Sequence, residues 1–272
     1  MTLDLDARQR AMLAEMGVRL FEPPRVPQLA QDEVAVPVPA QAPGRPAASQ
    51  PASAPSAPRV PAQRPASAPA PASAEATPLG DRPAGIDAMD WDTLADTVAA
   101  CQACGLCRTR RQTVFGTGDR QADWLIVGEA PGEQEDLQGE PFVGAAGKLL
   151  DNMLRAIGKS RDSQVYIANV LKCRPPGNRN PEPAEVAQCE PYLRRQVALL
   201  QPRIILAMGR FAVQSILGTT EAIGKLRGQV YDYQGVPVIV TYHPAYLLRN
   251  LPDKAKAWAD LCLAMEQVRA RG

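Results

Sequence analysis

The stretch "DWLIVGEAPGEQED" (123–136) joins a short apolar run to a loop rich in glycine, proline and carboxylates. Three later stretches have the same form, an apolar run that ends in polar residues, glycine or proline: "QVYIANVLKC" (164–173), "PRIILAMG" (202–209) and "VPVIVTYHP" (236–244). Runs that are apolar throughout predict strands buried on both faces, which is typical of parallel sheets. The four stretches therefore predict a four-stranded parallel central sheet.

Helix-like stretches lie between these strands and after the last of them. "GAAGKLLDNMLRAIG" (144–158) places its large apolar residues on one face, and "KAKAWADLCLAMEQV" (254–268) closes the domain. Strands that alternate with helices predict an α/β fold, here a three-layer α/β/α sandwich. In such folds ligands bind beyond the carboxyl ends of the strands, where this sequence carries its polar residues. We therefore expect the functional site at that edge of the sheet.

The chain changes composition near residue 86. Most of its 27 prolines lie between Pro23 and Pro83, mixed with alanine and serine. Such a segment buries too little apolar surface to offset the entropy of ordering. We predict a disordered Pro/Ala/Ser-rich linker at 23–86 and a folded domain at 87–272. Within 1–22 we predict a short helix whose apolar face is a candidate docking peptide for a replication or repair protein.

Charge and hydropathy restrict the class of protein only weakly. The formal net charge of +1 neither requires nor excludes a nucleic-acid partner. No apolar run has the length needed to span a bilayer, and the N-terminus lacks the apolar core of a secretory signal. We therefore expect a cytoplasmic monomer with no membrane association, in which the six cysteines are reduced.

Four of the cysteines have a spacing that suggests a metal site. Cys101 and Cys104 form a CxxC motif, and Cys173 and Cys189 follow much later. Four thiolates suit either zinc or an iron–sulfur cluster. Because the second pair is widely spaced rather than a second CxxC, the pattern favours a cluster over a zinc ribbon. Cys262 lies on an apolar helix face and is expected to be a core residue.

The glycine-rich stretch "GEPFVGAAGKLL" resembles a phosphate-binding loop only superficially. Phe142 stands where the first glycine of the GxxxxGK motif belongs. Leu149 replaces the serine or threonine that would hold magnesium. The stretch is therefore not expected to bind a nucleoside triphosphate.

Four motifs carry a resemblance to a known family. "IVGEAPGEQED", "GEPFVGAAGKLLDNML", "YIANVLKCRPPGNRNP" and "YHPAYLLRN" are similar, in this order, to motifs of the family 4 uracil-DNA glycosylases, the iron–sulfur branch of that superfamily. The resemblance runs from about Cys101 to Met265 and covers none of residues 1–90. It implies the α/β/α fold expected above and assigns 87–272 as the glycosylase domain. It also implies hydrolysis of the N-glycosidic bond of deoxyuridine in DNA, which releases uracil and leaves an abasic site for base excision repair.

The resemblance also implies a cofactor and a base pocket. The cofactor is a [4Fe–4S] cluster held by the four cysteines named above, and Cys107 lies outside that pattern. Phe142 would stack on the extruded base, and the amide of Asn169 would pair with the edge of uracil. The backbone of three residues would line the same pocket: Gly128, Glu129 and Ala130.

The catalytic expectations rest on the only histidine of the chain, His243. By resemblance, a neutral imidazole would donate a hydrogen bond to uracil O2 and stabilise the departing uracil anion. Ala130 stands where the best-known branch of the superfamily has a water-activating aspartate. Glu129 and Glu135 are the nearby carboxylates, and both are candidates for orienting the water.

The segment after His243 resembles the DNA-inserting loop of the family. Either Leu247 or Leu248 would wedge into the base stack, and Arg249 would lie near a phosphate. The alternative to an active enzyme is a catalytically weak or silent DNA-binding iron–sulfur protein of the same fold. The presence of Phe142, Asn169 and His243 argues against that alternative.

Overall fold

The structure is a computed structural model, and it describes residues 80–271 together with Met12 and Glu15. Apart from Met12 and Glu15, both helical, and residues 80–86, the docking helix at 1–22 and the linker at 23–86 lie outside the described residues. Those two predictions therefore stay predictions.

One mixed sheet of six strands forms the centre of the described domain, so the predicted number of four is corrected. The strands are β1 Thr117–Gly118, β2 Trp124–Gly128, β3 Val165–Asn169, β4 Ile204–Met208, β5 Val230–Tyr233 and β6 Val236–Thr241. In the order β1-β3-β2-β4-β6-β5, strands β3, β2, β4 and β6 are parallel, and they are the four runs found in the sequence. The short strands β1 and β5 add to the two edges in antiparallel orientation.

Eight α-helices and four 3₁₀ turns surround the sheet within residues 80–271. The helices are α1 Trp91–Ala100, α2 Glu133–Gln138, α3 Ala145–Ala156, α4 Pro183–Leu200, α5 Arg210–Leu217, α6 Ile223–Leu226, α7 Pro244–Leu247 and α8 Lys254–Ala270. The 3₁₀ turns are Ile86–Ala88, Gly105–Arg108, Pro176–Asn178 and Leu251–Asp253. Among the described residues, no helix has both the length and the apolar character needed to cross a membrane.

The strands send alternate side chains to opposite faces of the sheet, and each face carries its own apolar layer. Trp124 and Ile126 pack with residues of α3 and α8 on one face. Leu125 and Val127 pack with residues of α4 and α5 on the other. This arrangement gives three layers and explains why the parallel strands are apolar throughout. Met12 is half-buried against the layer that contains α3 and α8, and so is Cys262, as expected of a core residue.

A third apolar cluster lies beside the sheet and contains the cysteines with metal-site spacing. Residues of α1 and α4 pack there with Cys173 and Cys189, and Cys101 and Cys104 lie against the same cluster. Beyond β3 the chain stays close to the end of β2, because Val170 N donates to Gly128 O and Leu171 N donates to Glu129 O. The end of β3 therefore leads directly from the sheet edge to the cysteines.

Candidate functional site

A cleft of about 900 Å³ opens at the carboxyl ends of the parallel strands. Loops that follow β2, β3, β4 and β6 each contribute to its wall. The structure brings most of the expected site residues together there: Glu129, Ala130, Glu135, Phe142, Asn169, His243 and Arg249. Leu247 and Leu248 are not among the residues that line it.

Gly128, which was expected to line the pocket, is not among the residues that line the cleft. It ends β2 directly behind the lining residues Asn169 and Phe142, where no side chain would fit. A Cβ atom at this position would lie 2.3 Å from Asn169 Oδ1 and 2.5 Å from Phe142 Cζ. Both contacts are shorter than any ordinary carbon contact, so the Asn169 amide and the Phe142 ring rest directly on the Gly128 backbone. This explains why a glycine is needed at this end of β2.

Asn169 is the last residue of β3, and its side-chain amide oxygen is buried. The residue is 2% exposed, and within the described residues Oδ1 has no hydrogen-bond partner. Its backbone oxygen accepts a hydrogen bond of 2.8 Å from Lys172 Nζ. A buried amide oxygen without a partner costs free energy, so its presence at a cleft wall indicates a group that pairs with a ligand.

The Phe142 ring lies parallel to the His243 imidazole, with centroids 5.3 Å apart and an angle of 26° between the rings. Its backbone is in the left-handed region, with φ of 56°. A Cβ on Gly147 of α3 would lie 1.6 Å from Phe142 O, so the loop also depends on a glycine in the adjacent helix. The aromatic face is therefore presented to the cleft by a tightly packed turn.

Glu135 has both carboxylate oxygens occupied by backbone amides. Oε2 accepts from Gly132 N at 3.0 Å, and Oε1 accepts from Val143 N at 3.1 Å and Gly144 N at 3.4 Å. The carboxylate thus ties the start of α2 to the loop that carries Phe142. Glu135 lines the cleft, but its hydrogen bonds give it a structural role in holding the loop.

Glu129 is the carboxylate that stays available to a ligand or a water molecule. Burial raises the pKa of Glu129 to about 7, and the nearby Arg210 partly opposes that rise. Within residues 80–271 its side chain makes no hydrogen bond. Arg210 and the neighbouring Phe211, which also line the cleft, were not singled out from the sequence. They begin α5, whose short apolar pattern gives no sign of a cleft.

His243 caps the first turn of α7, and this fixes its tautomer. Nδ1 accepts a hydrogen bond of 3.1 Å from Ala245 N, so the ring proton of the neutral imidazole is on Nε2. Burial lowers the pKa of His243 to about 4, although the Glu135 carboxylate acts in the opposite direction. The imidazole is therefore neutral at physiological pH, and Nε2–H is its only donor.

The two leucines after His243 have opposite environments. Leu247 is fully buried in the layer that contains α3 and α8, whereas Leu248 is 42% exposed. The expectation that Leu247 contacts DNA is therefore corrected, because its side chain is part of the core. Leu248 and Arg249 remain as the exposed candidates on this loop.

The four cysteines of the expected metal site line one small cavity next to the third apolar cluster. Cys101, Cys104, Cys173 and Cys189 all contribute to its wall, and Cys107 does not. No three His, Cys, Asp or Glu side chains in the described part of the chain are close enough to hold a single metal ion. In a cubane cluster, however, each thiolate binds a different iron, so the four sulfurs need not converge on one point.

The chemistry of this cavity fits an anionic thiolate-bound group. Burial raises the pKa of the Cys173 thiol to about 11 and of the Cys189 thiol to about 12. Two N–H donors nevertheless point at these sulfurs, from Arg110 Nη1 at 3.1 Å to Cys173 Sγ and from Lys172 N at 3.3 Å to Cys189 Sγ. The Lys172 side chain is itself buried. A buried cation and N–H donors beside buried thiols match the negative charge that metal-bound thiolates carry.

Comparison with a family model identifies the superfamily of the chain. Residues 115–262, more than half of the chain, match the model of the uracil DNA glycosylase superfamily. The matched range contains the whole sheet from β1 to β6 and all the cleft residues described above. The chain therefore belongs to the uracil DNA glycosylase superfamily.

Curated relatives specify the branch. The chain is 47% identical over 165 residues to a type-4 uracil-DNA glycosylase of Archaeoglobus fulgidus, covering 58% of this chain and 82% of the relative. It is 45% identical over 170 residues to one of Saccharolobus solfataricus, covering 59% and 78%. It is 44% identical over 167 residues to one of Thermotoga maritima, covering 61% and 86%. Within the superfamily, the chain belongs to the type-4 uracil-DNA glycosylases.

Proposed function

We propose that this protein hydrolyses the N-glycosidic bond of deoxyuridine in DNA, releasing uracil and leaving an abasic site. The observation that carries the proposal is the grouping of three features at one cleft: the aromatic ring of Phe142, the buried Asn169 Oδ1 that has no hydrogen-bond partner among the described residues, and the neutral imidazole of His243. Type-4 uracil-DNA glycosylases that are 40–47% identical support it.

Recognition would begin with extrusion of the nucleotide from the duplex, because the bond is not accessible in stacked DNA. The uracil ring would stack on Phe142. The Asn169 amide, which offers one donor group and one acceptor, would pair with uracil O4 and N3–H. Its unpaired Oδ1 would then gain the partner that it lacks among the described residues.

Bond cleavage places negative charge on the departing uracil and positive charge on the sugar. His243 Nε2–H would donate to uracil O2 and stabilise that negative charge as it develops. The hydrogen bond from Ala245 N to Nδ1 supports this role, because it keeps the proton on the nitrogen that is left to face a ligand. The ring needs no proton transfer to act in this way.

We propose Glu129, rather than Glu135, as the carboxylate that orients the attacking water. Both oxygens of Glu135 are occupied by loop amides, whereas Glu129 makes no hydrogen bond within the described range. A pKa of about 7 leaves a substantial fraction of Glu129 ionised at neutral pH. On the DNA side, Leu248 would enter the vacated stack and Arg249 would lie near a phosphate.

We propose a [4Fe–4S] cluster bound by Cys101, Cys104, Cys173 and Cys189. Bound there, the group would supply a covalent link between the segment before β1 and the segment after β3. Glycosidic hydrolysis requires no electron transfer, so its contribution is structural. The shared cavity and the buried Lys172 support this assignment.

Iron content tests the cluster assignment. The protein purified without oxygen is expected to be brown and to contain about four irons per chain. Cys173→Ser is expected to lower the iron content and the visible absorption, since it removes one of the four proposed ligands. Cys107→Ser is the matched control, because Cys107 does not line the cavity, and it is expected to keep both signals. A colourless protein with stoichiometric zinc would contradict the assignment.

Excision assays test the proposed activity directly. Full-length protein is incubated with an oligonucleotide that contains one deoxyuridine, and alkali then cleaves at abasic sites. We expect cleavage at the uracil position and none in the same oligonucleotide with thymine. Binding to the oligonucleotide without any cleavage would instead favour the silent DNA-binding alternative.

We further propose that the protein acts as a monomer in the cytoplasm, where thiols stay reduced and available to iron. The N-terminal segment 1–22 remains a candidate docking peptide for a replication or repair protein.

A further inference from the structure

The loop 141–144 carries the stacking residue of the site in an unfavourable backbone conformation. Phe142 has a φ of 56°, a region that residues with a side chain rarely adopt. Such a conformation persists only where surrounding contacts determine it. The contacts on this loop therefore decide where the Phe142 ring lies.

Arg161 holds the carbonyl side of this loop. Its Nη1 donates to Pro141 O and its Nη2 to Phe142 O, both at 2.7 Å. The planar guanidinium presents its N–H groups in a fixed fork, so two bonds to successive carbonyls fix the direction of both peptide groups. A lysine could reach only one of the two oxygens with comparable geometry.

Arg161 is itself fixed by Asp151 of α3. Its Nε and Nη2 donate to Asp151 Oδ1 at 3.1 Å and 2.9 Å, and the arginine side chain is only 18% exposed. Gly147 of the same helix closes the space beside the Phe142 carbonyl. Helix α3 thus supports the loop through one ion pair and one close backbone contact.

The amide side of the loop is held from another element. Glu135 accepts hydrogen bonds from the next two amides, Val143 N and Gly144 N. The carbonyls at the start of the loop are therefore bound by the Arg161 cation, and the amides at its end are bound by the Glu135 carboxylate. Phe142, with its left-handed backbone, lies between these two sets of hydrogen bonds, and its ring stacks against His243.

We propose that Arg161 is a positioning residue for uracil recognition, which holds Phe142 in the left-handed conformation that stacks its ring in the cleft. The inference rests on the proposed function of this site. Arg161 does not line the cleft, and it acts on the base only through the Phe142 backbone.

Single-turnover excision of a deoxyuridine oligonucleotide by Arg161→Gln tests the inference. With saturating enzyme, we expect a rate constant about tenfold to a hundredfold below that of the wild type, because a ring displaced by about 1 Å no longer stacks productively. The enzyme concentration that gives half of the maximal rate constant is expected to change little. The rate constant of Arg161→Lys is expected to lie between those of the wild type and Arg161→Gln. Asp151→Asn is expected to lower the rate constant as well.

Arg155→Gln is the matched control, since Arg155 is an exposed arginine at the end of α3 whose side chain, among the described residues, donates only to Asn152 Oδ1 at 2.8 Å. While folded enzyme stays in excess over the oligonucleotide, a loss of folded protein leaves the rate constant at saturation unchanged and raises only the total enzyme concentration needed to reach it, so the two effects separate. If Arg161→Gln folds poorly, the Lys and Asn variants give the decision. Rate constants equal to that of Arg155→Gln would overturn the inference while leaving the proposed function intact. A wild type without excision would overturn both.

Discussion

Replacement of His243 by alanine is expected to lower the rate of uracil excision by about two to three powers of ten, the usual effect of removing one donor to a developing anion. The imidazole is neutral, and its only free N–H is Nε2–H, so no second group on the ring compensates for its loss. Single-turnover excision measures the effect. Binding of the oligonucleotide is expected to stay close to that of the wild type, because in the proposed mechanism the imidazole would contact the base and not the DNA backbone.

An NMR titration of His243 tests separately whether the imidazole is neutral, as this mechanism requires. Because the chain has one histidine, the imidazole signals in a nitrogen-edited NMR spectrum of the untagged protein come from a single residue. A pKa lowered to about 4 means that these signals do not titrate between pH 5.5 and 8, and their pattern should be that of the Nε2–H tautomer. Titration near the ordinary value of about 6.5 would contradict the mechanism of a neutral donor.

Asn169→Ala is expected to reduce excision by about a hundredfold or more. The polar edge of uracil would then enter the pocket without the amide that pairs with its O4 and N3–H groups. The same change is expected to leave the melting temperature unchanged or slightly higher. The reason is that Oδ1 is a buried acceptor with no partner among residues 80–271, so truncation removes an unsatisfied group.

Asn152→Ala is the control for this variant, since Asn152 lies on α3, does not line the cleft and, within residues 80–271, has its side chain hydrogen-bonded only to Arg155. A large fall in melting temperature for Asn169→Ala with little loss of excision would show that the amide serves folding rather than recognition. Excision and thermal unfolding are measured on the same preparations.

Much of the fold could be predicted from the sequence, because burial on both faces makes the four parallel strands apolar throughout. Strand β5 was missed because it is an edge strand whose residues alternate between exposed and half-buried. Strand β1 was missed because it has only two residues. The two residues of β1 form no pattern that differs from a loop. The Val and Tyr residues of β5 and the Gln234–Gly235 turn after it are typical of a hairpin strand, so the sequence does contain a signal for β5.

The site residues were predictable as residue types, but not their individual environments. Glu129 and Glu135 look equivalent in the sequence, and only the loop amides around Glu135 distinguish them. Leu247 and Leu248 are likewise adjacent and identical, and the one-turn helix α7 turns one into the core and the other outward. Arg161 lies in a polar loop where nothing marks it. Such differences arise from long-range contacts, which a local pattern does not contain.

The left-handed backbone of Phe142 affects which residues are stable at this position. Glycine adopts such a conformation without penalty, whereas a residue with a side chain costs about 1–2 kcal/mol there. The Phe142 ring, however, is 5% exposed and belongs to the apolar layer that contains α3 and α8, and burial of such a side chain contributes about 1.5–3 kcal/mol. The buried ring therefore offsets the cost of its own backbone conformation. Phe142→Gly would relieve the backbone and still lower the melting temperature, so selection for heat resistance alone should retain a large apolar residue here.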